Sequence, residues 1–239
     1  MTFSEASRSI RIRWDNAECF VDDAQHLYFD FPINPHEFLS IAERDLTATD
    51  EVQALVNGLT NAKRAIDSQV DRVLSALGFS INHKSFKKRF DILRQTGIVA
   101  PRIIRKVRDT RNVLEHEYNC PVRKDVEDAL DIATLFVLAV DRVFLLFPLD
   151  IIVYNEEDEN EDEGCFPKNC LMIQFKNEHE PPFFEVILKQ DSKNEVPIPI
   201  RPKNNFYILI ARLFIAIQRE ADVDGAKRAI ASEIKEMPQ

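Results

Sequence analysis

The sequence RKVRDTRNVLEHEY, residues 105–118, gathers polar side chains that could bind a phosphodiester and move a proton. It places Arg111, Asn112, His116 and Tyr118 close together in one short segment. A guanidinium neutralises phosphoryl oxygens, and an imidazole accepts or donates a proton near neutral pH. Asn112 and His116 share a helix face, whereas Arg111 and His116 point about 140° apart. On spacing alone, a solvated polar face is the commoner explanation of such a helix.

The string Arg111-Asn112-x-x-x-His116-x-Tyr118 resembles the Arg-polar-x-x-x-His signature of HEPN domains. It is most similar to the form with an added Tyr, which occurs in HEPN toxins paired with a nucleotidyltransferase antitoxin. The resemblance covers residues 50–147. It implies an antiparallel helical bundle, a homodimer with facing motifs, and metal-independent cleavage of RNA. It also implies defence or toxin–antitoxin biology, with an antitoxin or nucleotidyltransferase as a candidate partner.

The resemblance implies a role for each residue of the motif. The 2′-hydroxyl of RNA would attack the adjacent phosphorus and leave a 2′,3′-cyclic phosphate. His116 would take or give the proton, and Arg111 would neutralise the charge that builds on the phosphoryl oxygens. Asn112 would orient Arg111, His116 or the substrate. Tyr118 would be either a positioning hydroxyl or an acceptor for nucleotide addition by a partner.

A run of basic residues leads into the motif. Between Lys84 and Arg111 the chain is strongly basic, and only Asp91 and Asp109 oppose it, although the net charge of the whole chain is −9. A basic strip of this kind is typical of a surface that binds a phosphate backbone. We expect RNA contacts from Lys87, Lys88, Arg89, Arg102, Arg105 and Arg108. The alternative is that the outer face of the bundle is simply basic.

Helical periodicity extends on both sides of the motif. An apolar stripe over residues 52–77 predicts a long helix that Gly78 ends. Pro101 suits the first position of the motif helix, which Pro121 then ends. The sequence therefore predicts four helices with short connections, over residues 52–77, 85–95, 101–120 and 125–147.

The flanks carry a different pattern. Alternation of apolar and polar residues over 8–33 predicts half-buried strands, most clearly at 10–14 and 27–31, with a turn at Asp22-Asp23. After a short helix at 36–44 and the bundle, strands are predicted at 149–154, 171–175 and 183–189, then an extended linker at 196–202 and helices at 205–220 and 224–236. The N-terminal strands are expected to pair with residues 149–190. The prediction is an α+β protein in which a HEPN-like antiparallel bundle (49–147) is inserted into a discontinuous unit of antiparallel strands with C-terminal helices (1–48 and 148–239).

Composition excludes several function classes. The acidic run at residues 156–163 predicts a solvated loop, with cover for a basic surface as the alternative. The scattered cysteines argue against zinc or a disulfide framework, and no metal or other cofactor is expected. Without an apolar leader or membrane span, a cytoplasmic protein is expected.

The alternative function is a non-catalytic HEPN-like module for dimerisation or for binding a nucleotide or partner.

Overall fold

The computed structural model describes the following segments of the chain: residues 1–29, 31–48, 51–82, 84–98, 121–159, 166–190, 193–194 and 197–236. These form two compact units. The sheet unit comprises Met1–Leu27, Ala76–Phe79 and Leu145–Gln239, and is therefore discontinuous in sequence. The helical unit comprises Tyr28–Ser75 and Ser80–Phe144.

The described chain is α+β with an antiparallel sheet. In chain order its elements are α1 (Phe3–Ser9), β1 (Glu18–Gln25), α2 (Pro35–Ala48), α3 (Val52–Ala76), α4 (Phe86–Gln95), α5 (Arg123–Asp141), a 3-10 turn (Arg142–Phe144), β2 (Phe147–Tyr154), a second 3-10 turn (Glu156–Asp158), β3 (Asn169–Lys176), β4 (Phe183–Gln190), β5 (Lys193–Asn194), β6 (Ile198–Ile200), α6 (Asn205–Gln218) and α7 (Val223–Glu236).

Most of the predicted helices are confirmed. The helices expected over residues 52–77 and 85–95 are α3 and α4, and the short helix expected at 36–44 extends over the whole of α2. The helix expected over 125–147 is wrong at its C-terminal end, because α5 ends at Asp141. Leu146 then takes a φ of 47°, which stops helical continuation, and β2 begins at once. The helix expected over 101–120 lies outside the described residues.

The core of the helical unit shows why α3 carries a glycine. Buried apolar side chains from α2, α3 and α5 form one cluster: Leu46, Leu55, Leu59, Val126 and Ala129. A Cβ added at Gly58 would lie 3.1 Å from Cγ of Leu46 and 3.3 Å from Cγ1 of Val126. These distances are tighter than ordinary van der Waals contact, so Gly58 allows α3 to approach both neighbours closely.

The sheet confirms the expected pairing of an N-terminal strand with the C-terminal region. Its strand order is β1-β2-β3-β4-β5, and β6 also pairs with β4, with every pair antiparallel. The register places Phe20 opposite Ile152, Ile152 opposite Met172, and Met172 opposite Ile187. The predicted strands at 149–154, 171–175 and 183–189 are therefore confirmed as β2, β3 and β4.

Aromatic rings fill the core of the sheet unit. The ring of Phe184 on β4 lies 4.8 Å from that of Phe214 and 5.0 Å from that of Tyr207, both on α6. The Tyr207 hydroxyl donates to the Leu77 carbonyl at 2.5 Å, and the Pro182 carbonyl lies 3.2 Å away. Burial raises the pKa of Tyr207, so its hydroxyl stays protonated and remains a donor.

The strand predicted around residues 10–14 is wrong, because α1 ends at Ser9 and a turn follows it. The Thr2 hydroxyl accepts from the backbone N–H of Glu5, and the Glu5 carboxylate accepts from the N–H of Thr2, so a capping box starts α1. Arg11 has a φ of 53°, which a strand does not allow. Trp14 is buried instead and donates from Nε1 to the Ser7 hydroxyl at 2.7 Å.

Three other predictions on the flanks are also wrong. Asp22-Asp23 lies within β1 rather than in a turn, and the register with β2 shifts on both sides of Asp23. Such a bulge places extra residues in an edge strand without ending it. The described residues 27–29 form no strand. The expected linker at 196–202 contains β6, which buries Ile198 and Ile200 and exposes Pro199, as an edge strand can.

The acidic run is only partly described. Its first residues form the 3-10 turn Glu156–Asp158. The Asp158 carbonyl accepts from the N–H of Lys168 at 2.9 Å, and the Asp158 carboxylate accepts from Nδ2 of Asn169 at 2.6 Å. The start of the run is therefore tied to the N-terminal end of β3. Residues 160–165 lie outside the described residues.

Candidate nucleic-acid interface

Only part of the predicted site lies within the residues that the structure describes. The described segments include the three basic residues on α4, namely Lys87, Lys88 and Arg89. The other predicted residues all lie outside the described residues: Arg102, Arg105, Arg108, Arg111, Asn112, His116 and Tyr118. Their roles therefore remain predictions from the sequence.

Helix α4 is fixed at both ends by its own sequence. The Ser85 hydroxyl accepts from the backbone N–H of Lys88, which caps the N-terminus. Thr96 ends the helix, and Gly97 follows with a φ of 76°, a conformation that glycine adopts without steric cost. These local signals explain why the sequence alone predicted this helix within one residue at its start.

One side of α4 is apolar and packs inward. Phe86, Phe90 and Leu93 are buried. The ring of Phe90 lies 5.9 Å from that of Phe136 on α5, and 4.4 Å from that of Phe86. Burial of this face orients the helix, and its other side therefore faces solvent.

The outward side of α4 is basic. Lys87, Lys88 and Arg94 are exposed, and Asp91 is the one acidic residue in the helix. Lys87 and Arg94 are seven residues apart, so their side chains project from the same side of the helix. Flexible ammonium groups and an exposed guanidinium on one face can contact successive phosphates of a nucleic-acid backbone.

Arg89 differs from its basic neighbours. Its side chain is only 16% exposed, and its guanidinium forms an ion pair with Asp71 on α3. The same guanidinium lies 5.6 Å from the centre of the Phe86 ring. Because Asp71 already neutralises it, Arg89 holds α4 against α3, and Lys87, Lys88 and Arg94 are the residues open to a ligand.

A second polar centre lies in the helical unit, and no motif in the sequence points to it. The Asp141 carboxylate, on the last residue of α5, lies 2.6 Å from Nε2 of His36. It also accepts from NH1 of Arg72 and from Nε2 of Gln69, both at 2.9 Å. We call these four residues the Asp141 centre. His36 and Asp141 are 105 residues apart, so no local pattern in the sequence announces their contact.

The Asp141 centre joins three helices. Arg72 and Gln69 lie on α3 and His36 lies in the first turn of α2, so one carboxylate links both helices to the end of α5. A carboxylate at a helix C-terminus is disfavoured by the helix dipole, and the three donors offset that cost. Arg72 also donates to the Phe29 carbonyl at 2.8 Å and lies 4.0 Å from the centre of the Phe144 ring. These contacts describe a structural tie between helices.

Cysteine chemistry is disfavoured at the described thiols. Burial raises the pKa of Cys19 to about 12 and that of Cys170 to about 11. A thiol is nucleophilic only as the thiolate, so these two side chains remain inert near neutral pH. Among the described residues, His, Cys, Asp and Glu do not gather in any group of three or more that could hold a metal ion.

The comparisons with known proteins leave the family open. The chain matches no protein-family model, no curated protein and no solved structure. The relation to HEPN domains therefore rests on the sequence motif alone. None of the helices in the described part of the chain has the length and apolarity needed to cross a membrane.

Proposed function

We propose that this protein is a metal-independent endoribonuclease of HEPN type that acts as a cytoplasmic homodimer. The motif Arg111-Asn112-x-x-x-His116-x-Tyr118 supplies the reacting groups. RNA is the substrate, and defence or toxin–antitoxin biology is the setting, with an antitoxin or nucleotidyltransferase as a further partner. Helices α2 to α5 give the helical unit a composition in keeping with a HEPN-like bundle.

The observation that carries the proposal is the exposed basic face of α4. Lys87, Lys88 and Arg94 are exposed on this helix, and the motif follows Arg94 closely in the chain. This face would position the phosphate backbone of an RNA substrate by charge alone. It would not recognise the base sequence of the RNA. Arg89 is left out of this surface because Asp71 neutralises it.

The proposed reaction is an internal transesterification. The RNA 2′-oxygen forms a bond to phosphorus while the bond from phosphorus to the 5′-oxygen breaks. His116 takes the 2′-hydroxyl proton or gives a proton to the leaving 5′-oxygen, and two copies in a dimer would supply both functions. Arg111 stabilises the charge on the non-bridging oxygens, and Asn112 orients the participants. Tyr118 positions the substrate or accepts a nucleotide from a partner.

The second candidate function is a non-catalytic interaction module. The observation that favours it is a pair of leucines on α5, Leu135 and Leu138, that are 69% and 54% exposed. Exposed apolar groups on one helix face are typical of an association surface. An association surface of this kind is compatible with a partner-binding module and also with a dimeric nuclease. Only a test for RNA cleavage therefore distinguishes the two functions.

The test is cleavage of mixed structured and unstructured RNA by the purified chain in excess EDTA, with analysis of the product ends. We expect 2′,3′-cyclic phosphate ends that disappear in His116→Ala and in Arg111→Ala while the fold is retained. Cleavage that requires metal, or that persists in both variants, would sink the proposed mechanism. Absence of cleavage by a well-folded chain would favour the interaction module.

A second arm tests the α4 face itself. The double variant Lys87→Glu with Lys88→Glu should weaken RNA binding by about tenfold or more at low salt, because two phosphate contacts become repulsive. The double variant Lys203→Glu with Lys235→Glu is the matched control: it makes the same change of charge at two exposed lysines of the sheet unit and should leave binding unchanged. Filter binding at several salt concentrations measures both. Equal effects of the two changes would show that only net charge matters.

A further inference from the structure

Helix α5 presents two opposite faces. Its inward face is apolar and buried, and consists of Val126, Ala129, Ala133, Phe136, Val137 and Val140. Its outward face carries two large apolar side chains, Leu135 at 69% exposure and Leu138 at 54%. A single exposed leucine is ordinary on a protein surface, but two successive ones on the same line of a helix are less so.

The exposed side chains of α5 follow a heptad spacing. Asp128, Asp131, Leu135, Leu138 and Arg142 are all exposed and alternate in steps of three and four residues. At 100° per residue these positions fall within a sector of about 80°, so they form one straight stripe. Arg142 begins the 3-10 turn, but its φ of −57° and ψ of −25° keep it in line with the helix. We call this stripe the α5 seam.

The order of residues along the seam is asymmetric. An acid lies at its N-terminal side, leucines lie at its centre, and a guanidinium lies at its C-terminal side. A second α5 laid parallel in register would place Asp131 against Asp131 and Arg142 against Arg142, which is repulsive at both ends. A second α5 laid antiparallel places Leu135 against Leu138 and Asp131 against Arg142. Both charged pairs are then complementary.

We propose that the α5 seam is a self-association surface on which two copies of this chain pair with their α5 helices antiparallel. The central layers are Leu135 against Leu138 of the other copy, twice by symmetry, and the outer pairs are Asp131 against Arg142. The isologous arrangement uses one patch on both copies and closes at two chains. Apolar burial supplies the affinity, and the charges set the direction. The proposal does not rest on nuclease activity.

The test is the oligomeric state of the full chain by sedimentation velocity over a range of concentrations. The wild type is expected to be dimeric at micromolar concentration. Leu135→Glu is expected to weaken dimerisation by about tenfold or more, because it puts a charge into each central layer. Val56→Glu is the matched control, since Val56 on α3 is 45% exposed and lies off the seam. Leu138→Glu replaces Leu135→Glu if circular dichroism shows that the latter is unfolded.

A charge swap tests the direction. Asp131→Arg alone should weaken the dimer, because it faces Arg142 of the other copy with the same sign. Adding Arg142→Asp should restore the dimer to within a few fold of the wild type. The proposal that the α5 seam is the self-association surface would be wrong if the wild type were monomeric. It would also be wrong if Val56→Glu and Leu135→Glu weakened the dimer equally. A dimer sensitive to Leu135→Glu in which the double exchange restores nothing would overturn the antiparallel pairing.

Discussion

The sheet unit and the helical unit bury their polar groups in different ways. In the sheet unit, Tyr207 offers one neutral hydroxyl to a backbone carbonyl among packed aromatic rings. In the helical unit, partly buried charges join one helix to another, through the Asp141 centre and through Arg89 with Asp71. We infer that apolar volume dominates the stability of the sheet unit, whereas paired charges add a substantial share in the helical unit.

The largest effect is expected from removing apolar volume in the sheet unit. Phe184 is fully buried and contacts Phe175, Tyr207 and Phe214. Phe184→Ala should lower the free energy of unfolding by about 3–5 kcal/mol, because the rings around it cannot fill the space. The measurement is urea denaturation followed by the fluorescence of Trp14, the one tryptophan of the chain, which is buried in the sheet unit.

Leu145→Ala is the control for that prediction. Leu145 is also a large apolar residue of the sheet unit, but it is 54% exposed, so its truncation should cost well under about 1 kcal/mol. If Phe184→Ala shifts the Trp14 transition no more than Leu145→Ala does, the inference that packed volume stabilises the sheet unit is wrong.

A smaller loss is expected from the Asp141 centre. Asp141→Ala removes the Asp141 carboxylate from the Arg72 guanidinium, which is 16% exposed. Because the pair is not fully buried, we expect a loss of about 2 kcal/mol rather than the larger cost of a fully buried pair. Circular dichroism during urea denaturation reports this loss, since the long helices of the helical unit dominate that signal.

His36→Gln is the matched control for the Asp141 centre. It removes the contact between the half-exposed imidazole and Asp141 but leaves Arg72 paired with the carboxylate. Its cost should be within about 1 kcal/mol, because the imidazole is half exposed and water can replace the contact. A larger cost for His36→Gln than for Asp141→Ala would mean that the imidazole, and not the guanidinium, is the important partner.

The elements that the sequence predicted correctly depend on short-range signals. Helix α4 has Ser85 at its start and Thr96-Gly97 at its end, and α3 has an unbroken stripe that stops before Gly78. The N-terminal error also has a local cause, because the alternation through Ile10 and Ile12 hid the Thr2–Glu5 capping box that starts α1. The helix that the capping box starts ends at Ser9, and the positive φ of Arg11 then interrupts the alternating pattern.

The candidate site was predictable only where single helices determine it. The basic face of α4 follows from the residues of one helix. The neutralisation of Arg89 by Asp71 and the contact of His36 with Asp141 both join separate helices, and one sequence without its fold does not show such pairs. The motif from Arg111 to Tyr118 lies outside the described residues, so its geometry stays a prediction.

The smallest effect is expected from a charged side chain in the sheet unit. Because apolar packing dominates that unit, we expect an ionised carboxyl there to lower its stability. Burial raises the pKa of Asp150, with the hydrogen bond from Gln174 and the charge of Lys176 acting in the opposite direction. A carboxyl whose folded pKa exceeds its unfolded value, ordinarily about 3.9, costs stability when it is ionised in the folded state. That cost is fully present above the folded pKa and disappears below the unfolded one. Asp150→Asn keeps an acceptor for Gln174, so it should be slightly more stable than the wild type at pH 7.

The advantage of Asp150→Asn should shrink as the pH falls towards 4, which Trp14 fluorescence in urea at several pH values can follow. Asp224→Asn is the control of opposite sign, because a hydrogen bond from Lys227 lowers the pKa of Asp224. Its ionised form is favoured by folding, so this substitution should be neutral or slightly destabilising at pH 7, and that loss should fade in acid. If Asp150→Asn instead destabilises the sheet unit at pH 7, the Asp150 carboxylate contributes to stability there. The sheet unit would then use paired charge much as the helical unit does.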